Sequence, residues 1–196
     1  MIVLGVDPGT AITGYGVVRG GAGAPALIEC GVIRTDAKAP LARRLAEIFD
    51  GVVELIERHR PERIAIENAF YSRNVRTTLV LGHARGVIML AGERAGIAID
   101  EYAPAMIKKT VVGAGAATKE QVQFMVARLL RLKAPPAPAD AADGVAAALT
   151  SLMSAGLRAT IGLQAAKRDQ RPADGLSPPG PGHRSSGHRV LGRNPR

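Results

Sequence analysis

Short apolar runs alternate with longer helical repeats over most of this chain. Three runs near the N-terminus, at 2–7, 14–19 and 26–34, are separated by glycine-containing turns and predict an antiparallel meander. Two further runs, at 63–67 and 97–102, each follow a long helical pattern, which is typical of parallel strands joined by helices. The order β-β-β-α-β-α-β predicts an α/β fold with a mixed five-stranded sheet, three strands antiparallel and two parallel, and helices on both faces.

Apolar residues at helical spacing predict the helices that cover this sheet. Two long helices are expected at about 40–60 and 73–95. The sequence Thr118-Lys119-Glu120-Gln121 matches a capping box and predicts a helix start at that point. A last helix is expected at about 140–154, after a proline-rich break.

Composition and charge change near residue 156 of the 196. Residues 1–156 read as one domain, and residues 157–196 as a basic tail rich in Pro, Gly and Arg that we expect to be disordered. The tail holds eight Lys and Arg against two Asp, a net +6 of the total +9. The domain alone is therefore only mildly basic, and charge by itself does not establish nucleic-acid binding. The tail could add salt-sensitive DNA contacts or have no role.

Two absences in the sequence favour a cytoplasmic location. The longest apolar run, at 87–91, is far below the roughly 20 residues that a membrane-spanning helix needs. A single cysteine, Cys30, excludes an internal disulfide, which fits a reducing compartment.

Four acidic residues stand at predicted ends of elements. Asp7 and Glu67 each end an apolar strand, while Asp140 and Asp143 open the last helix, one turn apart on the same face. Adjacent parallel strands would bring Asp7 and Glu67 together. Buried carboxylates need a positive partner, and Mg²⁺ prefers oxygen ligands. The pattern therefore predicts a metal site of the kind in which two ions activate water and stabilise the leaving oxygen of a phosphodiester.

Each acid also has a simpler explanation. Asp7 before Pro8-Gly9 can start a turn, and Glu67 can be a surface charge at a strand end. Asp140 can cap the last helix, and Asp143 suits its first turn because of the helix dipole. The coincidence of all four with predicted element ends favours the metal site.

Several segments, in order over about residues 1–154, resemble the RuvC family of bacterial Holliday-junction resolvases in the RNase H-like superfamily. They are Gly5-Val6-Asp7-Pro8-Gly9-Thr10, Thr13-Gly14-Tyr15-Gly16, Ile66-Glu67 with Phe70 and Asn74, Leu81-Gly82-His83-Ala84-Arg85-Gly86, Lys109-Thr110-Val111-Val112-Gly113 and Asp140-Ala141-Ala142-Asp143. The resemblance implies a homodimeric endonuclease with two Mg²⁺ ions per active site, which Mn²⁺ could replace. It would resolve four-way DNA junctions by paired symmetric nicks, in recombination and repair, together with the RuvA and RuvB branch-migration proteins.

The resemblance also assigns roles to residues. The four acids carry over as metal ligands and Phe70 as an aromatic that stacks on bases near the junction. Lys108 and Lys119 match family positions for basic residues near the DNA backbone. Further candidate DNA contacts, which the resemblance does not assign, are Tyr71 beside Phe70, and Arg73 and Arg76 at the start of the second long helix. Lys119 stands at a helix start, where the dipole disfavours a cation, and this suggests a phosphate partner. Solvated surface lysines are the alternative.

Three glycines leave questions open. Gly82 and Gly86, four residues apart on the second long helix, suit either a dimer face or close packing of that helix on the sheet. Gly144 follows Asp143 where the family commonly has alanine, and a glycine within a helix lowers its stability by about 0.5–1 kcal/mol relative to alanine. We therefore expect Gly144 to loosen the helix that carries Asp143.

Three other functions compete with junction resolution. The first is a nuclease of the same superfamily that acts on another nucleic acid, such as structured RNA. A protein that binds junctions without cutting them is the second. The third, an ATP-binding fold of the sugar-kinase or actin type, is disfavoured because it needs two domains and a second glycine-rich loop.

Overall fold

The computed structural model describes residues 1–21, 23–68 and 75–169, without the side chains of Arg76 and of residues 158–169. Met1–Thr160 forms one compact unit. The elements in chain order are β1 Ile2–Asp7, β2 Ile12–Arg19, β3 Ala26–Arg34, α1 Leu41–His59, β4 Arg63–Glu67, α2 Val75–Arg94, β5 Ala98–Tyr102, α3 Pro104–Val112, α4 Lys119–Leu129 and α5 Ala139–Asp169.

The strands form one sheet in the order β3-β2-β1-β4-β5. The β1–β2 and β2–β3 pairs are antiparallel, whereas β1–β4 and β4–β5 are parallel. This arrangement confirms the predicted mixed sheet. Strand β1 lies at its centre with its four middle residues buried, which is why the strand reads as a continuous apolar run.

Alternate residues of each strand point to opposite faces, and each face has its own apolar core. Leu4 and Val6 of β1 pack with residues of α1 and α2 on one face. Val3 packs with residues of α3, α4 and α5 on the other. Helices therefore cover both faces, as predicted. The same alternation directs Asp7 to the face that α5 covers, because Asp7 is four residues from Val3.

The ends of two helices test the expectations from sequence. The capping box is confirmed: the Gln121 amide donates to Thr118 Oγ1 at 3.3 Å, and the Thr118 amide donates to Gln121 Oε1 at 2.9 Å. Helix α5 begins at Ala139, so Asp140 lies in its first turn and is not its cap. The helix continues to Asp169, past the expected end near 154, because the residues after it include strong helix formers.

The segment after residue 169 lies outside the described residues, so the disorder of the tail and the boundary at 156 stay predictions. Among the described helices, none combines the length and the apolar character that crossing a bilayer requires.

Helix α5 lies unusually close to the sheet where it begins. A β-carbon at Gly144 would lie 2.6 Å from Cα of Tyr15 on β2. One at Gly5 of β1 would overlap the carbonyl oxygen of Gly144. The expectation that Gly144 loosens the helix is therefore wrong in this structure, since the missing side chain is what admits α5 to the sheet. This close packing brings Asp140 and Asp143 to the end of β1.

Candidate metal centre

The four predicted acids come from three elements that meet at one edge of the sheet. Asp7 and Glu67 end the adjacent parallel strands β1 and β4, where Val6 pairs with Ile66. The alternation of side-chain direction along each strand places both carboxylates on the face of the sheet that α5 covers. The first two turns of α5 carry Asp140 and Asp143 above them.

Three of the four acids form a close cluster. One carboxylate oxygen from each of Asp7, Asp140 and Asp143 lies within 4.8 Å of the others. Glu67 is outside this group, but it lines the same cavity of about 260 Å³ as Asp7 and Asp143. The complete lining consists of acidic, basic and apolar side chains: Asp7, Glu67, Pro104, Ile107, Lys108, Lys119, Val122, Asp143 and Ala146. Asp140 is not among the lining residues.

Three of the acids, Asp7, Glu67 and Asp143, hold their protons more tightly than ordinary carboxylic acids, because the pKa of each is raised. Burial, followed by the charges of Glu67 and Asp143, raises the pKa of Asp7 to about 7. Burial and the charge of Asp143 raise the pKa of Glu67 to about 7 as well. The pKa of Asp143 is also raised, mainly by burial, although Lys119 acts in the opposite direction. The site thus gathers more negative charge than its own cations neutralise.

A divalent metal ion fits this excess of charge. All the donors are carboxylate oxygens, which hard cations such as Mg²⁺ and Ca²⁺ prefer. A bound cation would favour the ionised form of each acid and reverse the effect of burial on its pKa. The acidic cluster can therefore bind metal.

The two lysines predicted to contact DNA lie beside the acids, but in different ways. Lys119, the first residue of α4, places its Nζ 2.6 Å from Oδ2 of Asp143. Lys108 of α3 lines the cavity and acts on Glu67 and Asp143 through its charge. Both side chains therefore line the cavity that Asp7, Glu67 and Asp143 also line.

Four other residues were predicted to contact DNA. Phe70, Tyr71 and Arg73 lie outside the described residues, and the side chain of Arg76 does too. Their roles stay predictions.

The two glycines of α2 face open space. In the described part of the chain, no heavy atom comes within 4 Å of a β-carbon built at Gly82 or Gly86. The explanation that they let α2 pack closely on the sheet is therefore wrong. The same helix exposes three apolar side chains, Val75, Leu79 and Leu90, at 75%, 61% and 51% of their surface.

A polar network beside Glu67 was not predicted from the sequence. The Asn68 side chain donates from Nδ2 to Oε2 of Glu101 at 2.8 Å, and Arg85 of α2 forms an ion pair with the same oxygen. Asn68 is only 7% exposed, and its backbone amide donates to the backbone carbonyl of Tyr102 at 2.8 Å. These bonds fix the end of β4 next to Glu67. In the sequence, the asparagine directly after the strand-end acid Glu67 is the signal that could have indicated this network.

The raised pKa values predict how pH affects the metal-free protein. The ordinary values of 3.8 and 4.5 for Asp7 and Glu67 rise to about 7, so the folded state binds protons more tightly than the unfolded chain. The free energy of unfolding should therefore fall as pH increases from about 5 to about 7.5, by about 2–3 kcal/mol for each of the two groups. Chemical denaturation in EDTA at both pH values measures this change. In Asp7→Asn the decrease should be clearly smaller, and an equal decrease in the variant would contradict the assignment.

Comparisons with known proteins place the chain among nucleases. A family model described as crossover junction endodeoxyribonuclease RuvC matches residues 3–151. The RuvC protein of Pelotomaculum thermopropionicum is 49% identical over 149 residues, which cover 76% of this chain and 91% of that protein. That of Halorhodospira halophila is 50% identical over 147 residues, covering 75% and 87%.

Solved structures agree with the sequence matches. The structure of T. thermophilus RuvC in complex with Holliday junction substrate has a TM-score of 0.77 and 36% identity, covering 81% of this chain and 96% of that one. The structure of Thermus thermophilus RuvC has a TM-score of 0.75 and 35% identity, covering 81% and 97%.

Proposed function

The chain belongs to the RuvC family of crossover junction endodeoxyribonucleases, and from this premise we propose that it resolves four-way DNA junctions by metal-dependent hydrolysis of paired phosphodiesters. The observation that carries the proposal is the cluster of Asp7, Asp140 and Asp143, with Glu67 in the adjoining cavity. All four acids fall within the matched residues 3–151.

We assign the four acids as ligands of two Mg²⁺ ions, which Mn²⁺ can replace. When bound, such ions supply an activated water and stabilise the charge on the leaving oxygen of an in-line displacement. The protein's own part is to hold its carboxylates ionised at one place. Strands β1 and β4 hold Asp7 and Glu67, and the close packing of α5 holds the other two.

The side chains around the acids position the DNA. Lys108 and Lys119 provide two ammonium groups at the cavity, where they neutralise the phosphate next to the scissile bond. Phe70 covers an unpaired base at the branch point, as the family resemblance implies, and Tyr71, Arg73 and Arg76 provide further contacts with the DNA. Phosphate contacts of this kind position the strand without reading its sequence.

A homodimer forms through α2. A junction presents two equivalent strands, and a two-fold dimer presents two equivalent active sites. The exposed side chains Val75, Leu79 and Leu90 line a helix on which Gly82 and Gly86 allow close approach of another backbone. An apolar surface with small residues at its middle favours a helix-to-helix contact between protomers.

Leu79→Glu should separate the protomers. A glutamate at the centre of an apolar interface loses its hydration without gaining a partner, so the dimer dissociation constant should rise by about 100-fold or more. Sedimentation velocity over a concentration series measures it. Leu157→Glu is the matched control, because Leu157 is 63% exposed against 61% for Leu79 and lies on α5. An equal effect of both substitutions would contradict the assignment of α2 as the interface.

Two further assignments rest on the family. The protein acts in recombination and repair within the cytoplasm, in cooperation with the RuvA and RuvB branch-migration proteins. The basic tail matches no family feature. From its net charge of +6 alone, we propose that it adds nonspecific affinity for DNA, which would be lost as salt increases.

A cleavage assay with four substrates tests the proposed function. The purified protein is incubated with a mobile four-way junction, duplex DNA, an RNA–DNA hybrid and structured RNA, each with Mg²⁺ or with EDTA. We expect paired nicks at symmetric positions of the four-way junction when Mg²⁺ is present, and no nicks in EDTA. Preferential cutting of RNA or of the hybrid would favour a nuclease with another target. Tight binding of the junction without any cut would favour a protein that only binds it.

A further inference from the structure

The Lys119 ammonium is bonded to one of the carboxylates that we assign as metal ligands. Its Nζ lies 2.6 Å from Oδ2 of Asp143, a carboxylate that also belongs to the cluster of Asp7 and Asp140. The Asp143 side chain is 19% exposed, so this pair is partly shielded from water. Among the described residues, this is the one ion pair with a member of the cluster.

Because Lys119 lies at the start of its helix, its ammonium depends on the attraction of Asp143 to stay where it is. Lys119 follows the cap residue Thr118 and begins α4, where the amide groups of the first turn repel a cation. The attraction of Asp143 offsets this repulsion. Once another cation takes over that carboxylate, little holds the ammonium in place.

We infer that Lys119 serves as an internal counter-ion of the metal-free site, that a divalent cation displaces it from Asp143, and that the released ammonium then engages DNA phosphate. This inference rests on the proposed metal site. A divalent ion at the cluster attracts Asp143 more strongly than a single ammonium does, and it repels that ammonium at short range. Metal binding thereby makes the lysine available to the substrate.

Lys108 provides the comparison that separates displacement from general electrostatics. Both lysines line the same cavity and lower the pKa of Asp143 through their charge. Among the described residues, only Lys119 forms a direct bond with an acid of the cluster. Removal of either charge should strengthen metal binding, but removal of Lys119 should also free a ligand.

Isothermal titration of the 196-residue protein with Ca²⁺, in the absence of DNA, measures this difference. Ca²⁺ is used because it takes the same oxygen ligands as Mg²⁺. We expect Lys119→Met to bind Ca²⁺ about tenfold more tightly than the unaltered protein, and Lys108→Met at most about threefold more tightly. Equal gains in both variants, or no gain in Lys119→Met, would overturn the inference.

Labelling of the unaltered protein tests release without any substitution. Reductive methylation followed by peptide mass spectrometry reports how accessible each lysine is. On addition of Ca²⁺, the labelling rate of Lys119 should increase several-fold relative to that of Lys108. An unchanged Lys119 rate while titration shows Ca²⁺ binding would overturn the inference alone. Failure of the unaltered protein to bind Ca²⁺ would overturn the proposed metal site itself.

Discussion

Asp7→Asn should reduce the rate of junction cleavage by about 1,000-fold or more, while the protein still folds and binds the junction. An amide is a poor ligand for a hard divalent cation, and Asp7 is the member of the acidic cluster on which the charges of all three other acids act. A loss of several kcal/mol of metal-based stabilisation corresponds to that factor, because each 1.36 kcal/mol is tenfold in rate. Single-turnover cleavage of a labelled junction in Mg²⁺ measures it.

Asp50→Asn is the matched control for this substitution. Asp50 is an exposed residue of α1, which covers the opposite face of the sheet from α5. Its replacement makes the same change of charge and should leave the rate within about twofold, as surface substitutions usually do. Gel-shift measurements in Ca²⁺ separate binding from cutting. If Asp7→Asn cut the junction as fast as Asp50→Asn, the cluster would not be the catalytic centre.

The sequence predicted best the residues whose place in the fold follows directly from the local hydrophobic pattern. Asp7 and Glu67 end apolar runs that must be central strands, and parallel neighbours end at one sheet edge, so their proximity followed from periodicity and strand pairing alone. Helix α5 is different, because Asp143 is 76 residues beyond Glu67 and no local pattern fixes where that helix docks. The expectation that it completes the site came from the chemistry of the acids and from family resemblance.

Rules that consider only neighbouring residues in the sequence could not predict the packing between distant segments. Gly144 looked unfavourable because intrinsic helix propensity considers only its own helix. Its effect on stability depends on its contacts with Tyr15 and Gly5, which a helix-propensity scale does not consider. The same limitation applied to the bond between Lys119 and Asp143, which belong to different helices. For Gly82 and Gly86, the sequence correctly left two possibilities open, and the open space around both decided against packing on the sheet.

Gly144→Ala should therefore destabilise both the fold and the metal site. The added β-carbon would lie 2.6 Å from Cα of Tyr15 and 2.7 Å from its carbonyl carbon, which are backbone atoms that cannot rotate away. Overpacking of this kind lowers stability by about 1–3 kcal/mol, more than the gain of up to about 1 kcal/mol in helix propensity. Because α5 must move outward, its acids should also shift, and we expect at least about tenfold weaker binding of Ca²⁺.

Gly156→Ala on the same helix isolates the effect of packing. A β-carbon at Gly156 meets no described atom within 4 Å, so this variant gains helix propensity without a clash and should be as stable as the unaltered protein or slightly more so. Thermal denaturation in EDTA and calorimetric titration with Ca²⁺ compare the two variants directly. Equal stability and equal Ca²⁺ affinity in both would show that α5 does not depend on Gly144 for its contact with the sheet, and that close packing does not position the acids.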